Sequence, residues 1–124
     1  MFVRGERSST MERYYRALNK RYFRNKLART EIIIRRGLVK ENKLGRVELI
    51  DNMHYPKLRK RAKYLISLSP KLIFSLYHLL LVLLHEMAHV SVDPDLNAKF
   101  QDHGRKWQNE MKRLARIGAF RKYW

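Results

Sequence analysis

The residues His85-Glu86-Met87-Ala88-His89 form an H-E-x-x-H motif near the end of the most apolar run in the chain. On an α-helix, residues four apart lie on the same face, so His85 and His89 can direct two imidazoles at one point. Zinc binds imidazole nitrogen readily, and a catalytic zinc usually has three protein ligands and one open position. On a helix, this motif is typical of a zinc hydrolase.

Two further residues complete the predicted site. A third histidine, His103, follows the motif and is the candidate third ligand. Glu86 stands on the same turn as the first ligand, where a carboxylate can accept a proton from the attacking water. Histidine pairs four apart also occur in proteins without a metal. The prediction is one Zn²⁺ per chain, bound by His85, His89 and His103, with Glu86 as the catalytic residue.

Composition bounds the class of protein. The chain has 124 residues, of which 45% are hydrophobic, enough for one modest domain over residues 1–124. Its core is expected at about 9–117, followed by a short basic and aromatic tail at 118–124. Lys and Arg total 28 and Asp and Glu total 11, giving a formal net charge of +17. Such a charge points to nucleic acid or an anionic membrane surface as a partner.

Two features of the sequence bear on its compartment. The chain has no cysteine, which excludes disulfides, a cysteine nucleophile and a cysteine-ligated zinc ribbon. The first ten residues are polar and charged and lack the apolar segment of a signal peptide. The expected location is therefore intracellular, either cytoplasmic or associated with the nucleus or nucleoid.

The apolar run at 72–92 is long enough to be tested as a membrane span. It contains several histidines and Glu86, and such groups are costly inside a bilayer. The uninterrupted apolar part, 79–84, is short. The favoured interpretation is a buried core helix without a membrane partner, and a membrane-embedded metalloprotease is the alternative.

Hydrophobic periodicity predicts an α+β fold. The pattern indicates an N-terminal helix at 9–28, with Ser9 and Glu12 as a capping box. Strands follow at 31–36 and 44–51, separated by a turn at 37–42, and Gly45 marks a bulge or a close approach. These two strands and a third at 64–68 form a small three-stranded sheet.

The second half of the chain is predicted to be mostly helical. Ser69 caps a long helix that starts at Pro70 and runs to about Val92, where Asp93-Pro94-Asp95 ends it. A loop covers 97–102, and a last helix spans 105–117 and stops at Gly118.

Two surfaces are candidates for binding macromolecules. The third strand precedes the H-E-x-x-H helix and is proposed as the edge that pairs an extended substrate; its residues are Tyr64, Leu65, Ile66, Ser67 and Leu68. The loop at 51–62 holds the densest run of basic residues, which is either a solvated loop or a site of phosphate contacts. The candidate nucleic-acid contacts are Lys57, Arg59, Lys60, Arg61, Lys63, Arg105 and Lys106.

Four segments together resemble a known family. They are L-N-x-x-Y-F-x-x-x-L at 18–27, I-S-L-S-P-K-L at 66–72, L-H-E-M-x-H at 84–89 and H-G-x-x-W-x-x-x-M at 103–111. In this order they resemble the SprT-like domain, the protease domain of the Spartan group of DNA–protein crosslink proteases. The resemblance covers nearly the whole chain, from about Met11 to Ile117.

The resemblance implies a zincin-like fold, with zinc held by His85, His89 and His103 and with Glu86 as general base. It also implies peptide hydrolysis with DNA, single- or double-stranded, as activator. Many members carry a C-terminal zinc-binding segment, whereas this chain has no cysteine, so a minimal form is expected. The nucleic-acid contacts of that segment are then either supplied by the basic surface or absent.

The alternative is a non-catalytic basic module that binds DNA or RNA and keeps a structural zinc site. A structural site needs no general base and normally has four protein ligands. Glu86 and the lack of an evident fourth ligand therefore favour the peptidase.

Overall fold

Four strands and four helices make up the part of the chain that the computed structural model describes, residues 6–50, 62–97 and 103–120. A 3₁₀ turn, Pro70–Leu72, precedes the third helix. The mixed content confirms the predicted α+β class. The elements in chain order are β1 (Glu6–Arg7), α1 (Ser9–Tyr22), β2 (Thr30–Ile34), α2 (Gly37–Lys40), β3 (Gly45–Leu49), β4 (Tyr64–Leu68), α3 (Leu76–Val92) and α4 (Arg105–Arg116).

The strands form one mixed sheet in the order β1-β2-β4-β3. β2 and β4 are parallel, and the other two pairs are antiparallel. The three predicted strands are all present. β1 adds a fourth, which has two residues and is too short to produce a periodic pattern.

The prediction that Tyr64–Leu68 forms a sheet edge is wrong. β4 pairs on both sides, since Ile66 lies opposite Ile32 of β2 and opposite Val47 of β3. All five residues of β4 are buried, as expected for a central strand covered on both faces. Among the described strands, β3 and β1 form the edges instead.

The main core lies between the sheet, α1 and α3. Tyr64, Ile66 and Leu68 enter this core from one face of β4, as expected for alternate residues of a strand. α3 is apolar nearly all round and supplies the largest share of buried side chains, which gives the H-E-x-x-H motif a rigid support. These side chains are Leu79, Leu80, Leu83, Leu84, Met87, Ala88 and Val90.

The start of α1 differs from the predicted capping box. Ser8 is the N-cap, and its hydroxyl accepts a hydrogen bond from the Met11 N–H at 3.2 Å. Glu12 turns inward instead, where its carboxylate accepts from the Arg7 guanidinium and from the Ile32 N–H at 3.1 Å. A buried carboxylate with these partners joins the first turn of α1 to β1 and β2.

α1 ends at Tyr22, six residues earlier than predicted. The Asn19 amide donates to the Leu27 carbonyl and accepts from the Leu27 N–H, which folds the chain back onto the helix. Arg24 and Asn25 take positive φ angles of 54° and 59° in the turn between them. The basic residues after Tyr22 therefore lie on a turn.

The long helix predicted from Pro70 is divided into two elements. Ser69 caps the 3₁₀ turn, and Ser75 caps α3 by accepting from the His78 N–H. α3 ends with Asp93 as its C-cap, and Gly118, with φ of 86°, follows α4; both ends agree with the prediction. The predicted turn at 37–42 contains the short helix α2, which buries Leu38.

The apolar character of α3 does not make it a membrane span. Within the described ranges, no helix combines the length and the apolar character needed to cross a bilayer.

Candidate metal centre

Three histidine side chains converge at one point beside α3. His85 and His89 lie one turn apart on that helix, and His103 lies just before the first turn of α4. The three Nε2 atoms are 3.3 Å apart for His85 and His89, and 3.1 Å apart for each pair that includes His103. The structure thus brings together the three residues predicted as ligands.

The donor set fits a metal ion better than it fits internal hydrogen bonds. A neutral imidazole Nε2 either donates or accepts, so three mutually close Nε2 atoms cannot all be satisfied by one another. Ligands about 2.0–2.1 Å from a tetrahedral zinc lie about 3.3–3.4 Å apart, close to the observed spacing. Among the described residues, no fourth side chain joins this group, which leaves a position for water or substrate.

The environment also keeps the histidines in the form that binds metals. Burial lowers the pKa of His85 to about 4, with a further contribution from His103. Burial likewise lowers the pKa of His89 to about 4, with contributions from both other histidines. Both rings are therefore neutral at physiological pH, with a lone pair available.

Glu86 lies next to this cluster and is 3% exposed. Its Oε2 is 3.9 Å from His85 Nε2, and its Oε1 is buried without a hydrogen-bond partner among the described residues. Burial raises the pKa of Glu86 to about 8. The carboxylate beside His85 is placed to accept a proton from a water molecule at the site.

Gly45 allows β3 to approach this carboxylate. A Cβ at Gly45 would lie 2.6 Å from Val82 Cγ1 and 3.1 Å from Glu86 Oε2, so only glycine fits here without a shift of these side chains. The sequence suggested a close approach at Gly45 but gave no sign of its partner, because β3 and α3 are far apart along the chain.

Trp107, which the sequence showed only as part of the H-G-x-x-W segment, packs against all three histidines. Its ring stacks on His89 with centroids 5.5 Å apart, and lies 4.4 Å from His103. Its indole N–H donates to the His85 carbonyl at 3.4 Å. The available signal was the short spacing of four residues between His103 and Trp107, which places the ring in the first turn of α4, directly after the third histidine.

The predicted nucleic-acid contacts do not form a single described surface. Lys63 precedes β4 and pairs with Asp95 at 3.3 Å. Arg105 and Lys106 are exposed on the first turn of α4, next to His103. The other four, Lys57, Arg59, Lys60 and Arg61, lie outside the described residues.

A basic cleft that was not predicted from the sequence lies along α1. It has a volume of about 700 Å³, and its lining includes Arg7, Arg13, Arg16 and Arg29. Arg7 pairs with Glu12 at 2.7 Å, whereas Arg13, Arg16 and Arg29 are exposed. Arg13 and Arg16 lie on the exposed face of α1, and Arg29, which precedes β2, joins them only through the fold.

Comparison with known proteins agrees with this geometry. Neither a curated protein nor a solved structure shows significant similarity to the chain. The sequence model of the SprT-like family matches residues 11–122, which include most of α1, strands β2 to β4, the three histidines and α4. The chain therefore belongs to the SprT-like family.

Proposed function

We propose that this protein is a zinc-dependent endopeptidase that acts on nucleic-acid-bound proteins, including DNA–protein crosslinks, with DNA as activator. The observation that carries the proposal is the convergence of three histidine Nε2 atoms within 3.3 Å beside the buried carboxylate of Glu86. Family membership supports zinc as the metal and peptide hydrolysis as the reaction.

In the proposed mechanism, His85, His89 and His103 hold zinc. When bound, zinc lowers the pKa of a water molecule and polarises the scissile carbonyl. Glu86 accepts a proton from the attacking water as the new C–O bond forms, and returns it to the leaving nitrogen as the C–N bond breaks. Trp107 holds the imidazoles in place by packing against them.

The substrate backbone is proposed to lie along β3. This strand is an edge of the described sheet, and its first residue, Gly45, contacts the helix turn that carries Glu86. An extended peptide can add to such an edge through backbone hydrogen bonds. We therefore propose that β3, and not its neighbour β4, is the strand that pairs with an extended substrate.

A structural zinc site in a purely binding module is the less favoured function. Such a site normally has four protein ligands, and the described part of the chain offers three. It also has no use for a buried carboxylate with an unpaired oxygen, which costs stability. Both observations favour catalysis.

DNA is proposed to bind the arginine-lined cleft along α1. Arginine is well suited to phosphate because its planar guanidinium can donate two parallel hydrogen bonds. The only acidic residue in α1 is Glu12, which is buried and paired with Arg7. The exposed face of α1 is therefore cationic, in keeping with the net charge of +17.

The substitution Glu86→Gln tests the proposed reaction. We expect cleavage of a DNA-binding protein, measured with and without DNA, to fall by about 10²–10⁴-fold, because the general base is lost. Zinc content should stay near the wild-type value, since Glu86 is not a ligand. Equal loss of zinc and activity would instead assign Glu86 a structural role. A wild-type chain that holds zinc but cleaves nothing would favour the binding module.

A further inference from the structure

An open groove of about 510 Å³ lies directly beside the Glu86 carboxylate. Glu86 and His85 form one end of its wall, so a substrate at the metal centre would extend into it. The remaining wall comes from the start of β3, the middle of α3 and the C-terminal part of α4 with the residues after it. Its apolar members are Leu44, Leu81, Val82, Met111 and Phe120.

Two features of this groove make it suitable for binding a ligand. Leu44 is 50% exposed although it is large and apolar, and covering such a surface is favourable. Gly45 carries no side chain, so the groove stays open where it meets Glu86. Apolar surface beside reactive groups is the usual character of a small binding pocket.

The lining also defines which side chain would fit. Lys43 and Glu86 are the lining residues with a formal charge, and the rest of the wall offers few partners to a polar group. A charged side chain placed there would lose its hydration without full compensation. An aliphatic or aromatic side chain would gain from burial against Leu44 and Val82.

We propose that this groove binds a large aliphatic or aromatic side chain of the substrate, at a residue that flanks the scissile peptide bond. The inference rests on the proposed peptidase function and adds the class of peptide that the site selects. Leu44, Val82 and Met111 are then specificity-determining residues.

The first test is a map of cleavage sites. The zinc-loaded full chain digests an unfolded protein, and mass spectrometry identifies the residues on both sides of each cut. We expect leucine, methionine and phenylalanine to be enriched at one flanking position. Two peptides that differ only by leucine or serine at that position should then differ by at least about 10-fold in kcat/KM.

The second test changes the groove at an exposed position. Leu44→Glu places a carboxylate on its wall and should lower kcat/KM for the leucine peptide by about 10-fold or more. Leu76→Glu is the matched control, because Leu76 is 48% exposed at the start of α3 and does not line the groove. The control should keep wild-type activity and specificity, and thermal unfolding of both variants checks that they fold.

The outcomes separate this inference from the function on which it rests. Cleavage by the wild-type chain without apolar preference, or an unchanged profile in Leu44→Glu, would overturn the inference alone. Absence of cleavage by the wild-type chain with zinc and DNA supplied would overturn the proposed function and the inference with it.

Discussion

At the scale of single residues, the site depends on how closely Gly45 approaches Glu86. The Glu86 side chain lies between His85 Nε2, 3.9 Å away, and the backbone of β3. A side chain at position 45 would occupy space that Val82 and the carboxylate already fill. The position of the proposed general base is thus fixed by a residue that has no side chain.

Gly45→Ala is predicted to reduce both stability and activity. The added Cβ meets Val82, whose β-branched side chain strongly prefers one χ1 rotamer on a helix, so relief by rotation is costly. We expect a loss of about 1–3 kcal/mol in the free energy of unfolding and a lower kcat, because the Val82 and Glu86 side chains must shift. Thermal unfolding and peptide cleavage measure the two effects.

Gly37→Ala is the control for this change. A Cβ at Gly37 would meet only Arg35 side-chain atoms at 3.5 Å or more, which is ordinary contact distance. This variant should match the wild type in stability and activity. If Gly45→Ala behaved the same way, the close contact with Glu86 would have no importance for the site.

At the scale of elements, the metal centre depends on how α4 is held against α3. Two of the histidines lie on α3, and the third lies directly before α4. Glu110 of α4 links the two helices: Ser91 of α3 donates a hydrogen bond to its Oε2, and Arg113 donates to its Oε1 at 2.5 Å. Burial raises the pKa of Glu110, but the hydrogen bonds from Arg113 and Ser91 outweigh burial and hold this pKa below its ordinary value.

Glu110→Gln is predicted to lower the free energy of unfolding by about 1–2 kcal/mol at neutral pH, because it removes charged hydrogen bonds. A carboxyl with a lowered pKa in the folded state stabilises the protein above its ordinary pKa of 4.5 and loses this effect as the pH falls. The difference between wild type and variant should therefore shrink as the pH is lowered below 4.5. Chemical denaturation with a chelator present measures it.

Glu41→Gln is the matched control for this experiment. Glu41 is 41% exposed, and its carboxylate is 3.8 Å from the Arg46 guanidinium. Exposed ion pairs contribute little, so this variant should stay close to the wild type at both pH values. A constant difference between wild type and Glu110→Gln across this pH range would show that ionisation of Glu110 does not matter.

A helix or strand could be predicted from the sequence where a pattern of neighbouring residues was enough to define it. The alternation in β4 and the H-E-x-x-H spacing in α3 depend only on neighbouring residues, and the structure has both features. The start of α3 was misplaced because Ser69 and Ser75 are both capable caps. The exposure of Phe74, 93%, marks the break between the two elements.

Features that depend on distant contacts could not be predicted. Asn19 ends α1 through bonds to Leu27, and the strand order places β4 between β2 and β3. For the site, the H-E-x-x-H spacing on one helix was enough to predict two histidine ligands and Glu86. His103 was predicted from the motif that follows this helix. The close approach of Gly45 to Glu86 and the groove beside it form only when β3 packs on α3.

At the scale of the whole molecule, Lys and Arg total 28 against 11 for Asp and Glu, which gives the formal net charge of +17. α1 presents Arg13, Arg16 and Lys20 outward, and Arg29 completes the cleft beside them. Phosphate contacts of this kind release counterions, so binding of nucleic acid should weaken steeply with salt. The exposed cations of α4, Arg105 and Lys106, provide a second basic surface for comparison.

The double variant Arg13→Glu/Arg16→Glu is predicted to bind oligonucleotides more weakly and to reduce the salt slope by about 2, roughly 1 for each lost phosphate contact. Fluorescence anisotropy with single-stranded and duplex DNA at several salt concentrations measures both quantities. Arg105→Glu/Lys106→Glu is the control of equal charge change and should have the smaller effect. A larger effect from the α4 pair would place the nucleic acid beside His103 instead.

The three-histidine zinc site is the central claim, and the metal content of the purified chain tests it most directly. We compare the wild type with His103→Ala and with His78→Ala, an exposed histidine of α3 whose Nδ1 lies 2.7 Å from the Ser75 hydroxyl. The wild type and His78→Ala should each hold about one zinc per chain, and His103→Ala should lose it or bind it more weakly. No zinc in the wild type after zinc is supplied, or equal zinc in His103→Ala, would contradict the site.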